Sequence, residues 1–165
     1  MGKKGFVSIA TIIIIMVLLI GLMAIPVGIN YISSLRKGIS ATQFAAEALT
    51  TCVKSYNEST NAAEFDSLVT IKNTAMSIIL GNMGASDLDL TDTFLSEIPT
   101  IDAVTYTSVA PGGINISYKG KPYHLDKPAI LIAVTYKVKP ILNENIEPTQ
   151  FTVVRKFEIN SFDHY

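Results

Sequence analysis

Residues 6–35 read FVSIATIIIIMVLLIGLMAIPVGINYISSL, thirty positions without one charged side chain. At about 1.5 Å rise per residue, a helix of that length would span roughly 45 Å, against a membrane hydrocarbon core of about 30 Å. The stretch is therefore expected to cross a membrane once and run on beyond it. A buried core helix is a poor alternative, because the remaining chain has too few residues to surround it. A cleaved secretory signal is another, but its apolar region normally covers about 7–15 residues and ends at a small-x-small site. Leu22-Met23-Ala24 before Ile25-Pro26 is a poor site of that kind. Pro26 lacks a backbone donor and crowds the carbonyl one turn upstream, so a kink is expected there, loosened further by Gly21.

The residues before the helix add information. Met1-Gly2-Lys3-Lys4-Gly5 is a short basic leader, and Phe6 opens the apolar run directly. This layout resembles the class III signal of the type IV pilin-like superfamily. The resemblance implies that residues 1–5 are a leader. A prepilin peptidase would cut it between Gly5 and Phe6, on the cytoplasmic side, and leave the helix on the mature protein. It also implies association with other pilin-like subunits through that helix. Bacterial members usually carry Glu at the fifth mature position, where it meets a neighbour's amino terminus. Here that position is Ala10, and the nearest polar groups are Ser8 and Thr11. The departure argues against a major subunit and fits a minor or accessory one, or a more distant branch of the family.

Beyond the helix, residues 38–165 hold nine basic against fourteen acidic residues, a formal charge of −5. A mildly acidic domain without clustered Lys and Arg is a poor match for a nucleic-acid backbone. The membrane flanks carry Lys3 and Lys4 at one end and Arg36 and Lys37 at the other, close to a tie under the positive-inside rule. The free amino group beside Lys3 and Lys4 favours a cytoplasmic N-terminus. So does the spacing between Pro26 and Arg36, which lets the second basic pair lie well past the membrane.

The period of the remaining chain predicts an α+β fold, with a helical part over residues 36–100 and an antiparallel sheet over 101–165. Leu35, Ile39, Thr42, Ala46, Leu49, Val53 and Tyr56 alternate spacings of four and three, which predicts a helix to Tyr56 with one packing seam. That seam is expected on the protein's own sheet, with packing between subunits as the alternative. A second helix is expected from Ala63 to Leu80, stopped by Gly81-Asn82 and Gly84. Asp87, Asp89 and Asp92 are closely spaced. Their run lacks the Gly and distal Glu of a calcium loop, so a solvated loop capping a short helix, Thr93 to Glu97, is expected. From Ala103 the period becomes two. Residues 103–109 and 114–119 predict a hairpin across Ala110-Pro111-Gly112-Gly113, and Lys119-Gly120-Lys121-Pro122 turns again. Ala129–Val138, apolar on both faces in its first half, reads as a central strand. Gln150–Ile159 reads as the last of four strands.

A long N-terminal helix, a second helix and strands reading AVTYKVKP and FTVVRKFEI is similar to TadE-like minor pilins, or pseudopilins. The resemblance implies a structural subunit of an extracellular filament or of its membrane assembly machinery. The alternative is a single-pass, membrane-anchored accessory or binding protein of a secretion or conjugation system that does not polymerise. Either way the partners are membrane lipid and other proteins, and the domain lies outside the cytoplasm. Catalysis finds little support. Cys52, expected inside the first helix, is the only cysteine, and His124 and His164 have no Cys or His at ligand spacing. No nucleophile elbow, phosphate-cradling loop or zinc pattern appears, so no catalytic residue, cofactor or metal is expected.

Overall fold

The computed structural model describes residues 3–85, 89–140 and 147–159. Among these described residues two helices and seven strands follow one another. Helix α1 is Lys3–Ala48, continued by a 3-10 turn at Leu49–Cys52, then strands β1 (Val53–Asn57) and β2 (Ala62–Phe65). Helix α2 is Leu68–Met83. Strands β3 (Thr100–Tyr106), β4 (Ile114–Tyr118), β5 (Lys121–Leu125), β6 (Ala129–Val138) and β7 (Thr149–Glu158) complete the chain. The class is α+β, as the periodicity predicts. The strands form three antiparallel sheets rather than one: β1-β2, β4-β5 and the three-stranded β3-β6-β7.

Strand β6 is the centre. It pairs with β3 from Tyr106↔Ala129 to Thr100↔Thr135, and with β7 along its whole length, from Ala129↔Glu158 to Val138↔Thr149. Its alternate residues serve two cores. Ile130, Ile132, Val134 and Tyr136 point to the helices, where Ala41, Ala45, Leu49, Ile71, Ala75 and Ile79 meet them. Ala129 and Leu131 face the opposite side with Val109 and Leu125, under the β4-β5 hairpin. Burial on both faces explains why the strand reads as an unbroken apolar run.

Several expected elements differ. The first helix ends at Ala48, not Tyr56, and Val53 and Tyr56 lie on β1. Thr50, Thr51, Cys52 and Val53 are consecutive weak helix formers, three of them β-branched, and a count of apolar spacings does not register that. The second helix starts at Leu68, because Ala62–Phe65 pairs with β1 and Ala63 donates to Thr107 O at 2.8 Å. Ser67 caps α2 by accepting from Thr70 N. The buried stripe is then Ile71, Ala75 and Ile79, and Leu68 and Val69 are exposed. At the far end Gly84, with φ 66°, bonds back to the last turn as expected. Thr93–Glu97 is not helical: Leu95 bridges Val138 and is fully buried, while Ser96 N donates to Lys137 O. Tertiary pairing with the end of β6 overrides local preference there. Asp87 lies outside the described residues.

The expected 103–109/114–119 hairpin does not form either. β3 pairs with β6, and Ala110–Gly113 links β3 to β4 as a turn closed by Gly113 N to Ala110 O. The hairpin is β4-β5, turned by Lys119 and Gly120 with φ 50° and 73°. Positive φ at both positions matches the tight turn whose twist suits antiparallel strands. Pro122 disguised β5 as a loop; it is tolerated because β5 pairs on one side only.

Candidate functional site: a bare helix mounted on a sheet

Helix α1 has two halves with different surroundings. From Ile9 to Ile25 the large apolar side chains that are described are 51% to 66% exposed, on every face of the helix, and Ile29 and Ile32 stay as exposed while Val27 and Tyr31 are half-buried. Each such side chain gains about 1.5–3 kcal/mol on leaving water, so a bare rod of this composition requires an apolar environment. It is one helix long and apolar enough to cross a membrane. Gly5, Phe6, Ala10 and Thr11 all lie on its helical backbone, and the helix continues through Gly21 and Pro26 without ending. Gly21 has open space where a side chain would project.

From Ser34 onward the same helix becomes part of the domain. Ser34, Gly38, Ala41, Thr42, Ala45, Ala46, Leu49 and Cys52 are buried. The seam expected from Leu35, Ile39, Thr42, Ala46 and Leu49 holds from Thr42 to Leu49, and Gly38, Ala41 and Ala45 widen it by one position on the N-terminal side. Leu35 and Ile39 depart from it. Both of those residues are only half-buried, and the centre of the contact is Gly38. Small residues set how closely helix and sheet approach. A Cβ on Gly38 would lie 2.9 Å from the Phe151 ring and 3.2 Å from Tyr136. Phe151 is wedged between Tyr136, at 5.1 Å between ring centroids, and Tyr31, edge-on at 6.4 Å.

A polar clasp sits beside that contact. Tyr136, fully buried on β6, places its hydroxyl 2.7 Å from Thr42 Oγ1 and 3.1 Å from Gly38 O. Thr42 Oγ1 is also 2.7 Å from Gly38 O. Two hydroxyl protons thus serve three short contacts, tying the middle of the sheet to one turn of the helix. Burial pushes the Tyr136 phenol up to about 12, the Thr42 hydrogen bond opposing the shift. Gly38, Tyr136 and Phe151 were not singled out by sequence patterning. The available signal was Gly38 itself, a glycine inside a packing seam.

A second fastening lies at the end of β6. Lys139 donates from Nζ to the carbonyls of Leu90 at 2.7 Å, Thr93 at 3.1 Å and Thr91 at 3.2 Å. Asp89 Oδ1 accepts from Thr91 N, and its carboxyl is held below the ordinary range by hydrogen bonds from Thr91, with Lys139 adding to the effect. On β3, Asp102 is lowered chiefly by its hydrogen bond with Lys119, 2.7 Å away, across an exposed ion pair.

The residues considered for chemistry do not converge. Cys52 is buried in the 3-10 turn rather than in the helix. His124 is exposed on β5, between Asn115 at 2.8 Å and Asp126 at 3.2 Å. His164 lies outside the described residues. Among the described residues no group of three His, Cys, Asp or Glu side chains is placed to hold a metal. No family model matches the chain, and neither curated proteins nor solved structures give a match.

Proposed function

We propose that this chain is a minor pilin or pseudopilin-like structural subunit, built into an extracellular filament or into its assembly machinery in the membrane. The observation that carries the reading is the division of α1: one uninterrupted helix, bare and apolar through its first half, and the packed spine of a small α+β domain through its second. A simple anchor needs no such continuity, since a loop between membrane helix and domain would serve. A continuous helix instead fixes the domain's direction relative to the apolar rod, as a repeating subunit requires. The Lys3-Lys4-Gly5-Phe6 start supports processing by a prepilin peptidase between Gly5 and Phe6. The domain then lies outside the cytoplasm.

A second reading has its own observation. Ala10 stands where most bacterial pilins carry Glu, so this chain lacks the carboxylate that meets a neighbour's amino terminus. A membrane-anchored accessory protein that never polymerises has no use for that group. Mass spectrometry of the mature N-terminus, on protein extracted from cells with a prepilin peptidase, separates the two. The subunit reading predicts a chain starting at Phe6, and a block to processing when Gly5 is replaced by a bulky residue. An intact Met1 on the wild-type chain overturns it in favour of the accessory reading.

A further inference from the structure

Where α1 leaves its bare stretch, it borders a cavity of about 250 Å³ between the helix and the end of β6. The helix contributes Asn30, Ser33, Ser34 and Lys37, spaced so that they share one face, and Lys139 stands opposite. Among the described residues no carboxylate lines the cavity. Its height along the helix is set by the sequence. Ile29 and Ile32 are the last large exposed apolar residues on this part of the helix, and Lys37 follows Ile32 by five positions, about 7.5 Å of axial rise. If α1 spans a membrane with its apolar surface in lipid as far as Ile32, and not only to Pro26 as the spacing to Arg36 suggested, this is the depth of the headgroups, which add roughly 5–8 Å on each side of the hydrocarbon core.

The donors divide into those used and those open. All three protons of Lys139 go to the carbonyls of Leu90, Thr91 and Thr93, so it holds the wall and adds positive field without contacting a ligand. Ser34 Oγ donates to Asn30 O at 2.8 Å. The Asn30 amide, the Ser33 hydroxyl and the Lys37 ammonium remain. Lys37 is exposed and forms no hydrogen bond or ion pair with any described residue. Two positive charges, neutral donors and a position at the headgroup layer suit one chemistry. We propose that this cavity takes the phosphate of an anionic membrane phospholipid, with Lys37 as its direct ion-pair partner, and so sets how deeply the domain seats against the bilayer. The inference rests on the membrane-spanning reading of α1.

The test uses the full chain reconstituted in phosphatidylcholine vesicles, with spin-labelled phosphatidylglycerol or phosphatidylcholine as probe. The wild type should restrict labelled phosphatidylglycerol at least about fivefold more than phosphatidylcholine, since one basic residue near a membrane surface contributes about that ratio. Lys37→Gln should lower the ratio by about fivefold, leaving what Arg36, Lys3 and Lys4 contribute, Lys37→Arg should keep it, and Lys121→Gln, on the distant hairpin strand, should leave it unchanged. Equal restriction of both lipids by a wild-type chain that resists alkaline carbonate extraction overturns the headgroup site alone. An undiminished preference in Lys37→Gln does the same. Inorganic phosphate bound as tightly by the chain in neutral detergent overturns the assignment to lipid. A chain that carbonate removes from the vesicles overturns the membrane reading beneath it.

Discussion

Gly38 decides how the helix meets the sheet. Alanine is a better helix former by about 1 kcal/mol, so a glycine in a helix interior calls for a packing reason, and the Phe151 ring supplies it. Gly38→Leu is expected to destabilise the domain by about 1–3 kcal/mol through overpacking, read as a lowered denaturant midpoint. Gly21→Leu, with open space around it, should leave that midpoint unchanged. Tyr136 makes a second prediction. Its folded pKa of about 12 exceeds the unfolded value of about 10, so its contribution is complete below pH ~10 and is lost as pH rises towards 12. Tyr118, also raised to about 12 by burial, contributes in the same window. Urea midpoints measured across that window should fall steeply for the wild type and less steeply for Tyr136→Phe. The substitution also lowers stability at neutral pH, by about 1 kcal/mol for the lost hydroxyl contacts. Parallel curves would show that Tyr136 is not the titrating group.

The elements most legible in the sequence were those whose burial is uniform. The bare half of α1 and the doubly buried β6 announce themselves by composition, and Gly84 marks the end of α2 through its backbone freedom. What stayed hidden depends on contacts distant in the chain. Ala62–Phe65 is a strand because β1 and Thr107 pair with it, and Leu95 is core because the end of β6 holds it. β3 alternates like a hairpin arm, but its partner lies beyond the whole β4-β5 hairpin. The Lys119-Gly120 turn was visible, and Pro122 hid the strand after it. The mounting seam was legible at Thr42, Ala46 and Leu49 and misplaced by one residue only at its start, because Gly38, which carries no side chain, scores nothing in an apolar count. The buried face of α1 begins at Ser34, with Tyr31 one turn earlier on Phe151. A fragment starting at Asn30 is therefore expected to be soluble and to unfold cooperatively, with helix and strand signals in circular dichroism. A fragment starting at Leu49 lacks Ala41, Thr42, Ala45 and Ala46 and should lose the cooperative transition. Equal cooperativity in both fragments would mean that α1 is not the domain's spine.

At the scale of the whole molecule, an apolar rod and a mildly acidic domain share one helix, and the clasp at Gly38, Thr42 and Tyr136 makes them a single body. Such a body suits a place in an assembly where the rod is buried among apolar neighbours and the domain faces water. If the chain is a pilin-like subunit as proposed, Ala10 offers no charged partner to the amino terminus of a neighbour. Breaking a buried pair by removing one member typically costs about 3–5 kcal/mol, so repeated stacking of this chain on itself is disfavoured. A filament tip or an initiating complex places no such demand on it. Quantitative immunoblotting of sheared surface filaments against the membrane fraction tests this most directly. A minor subunit, starting at Phe6, is expected in the filament fraction at a small fraction of the major subunit. Its absence from sheared filaments, or its presence there as the most abundant component, would rule out that role.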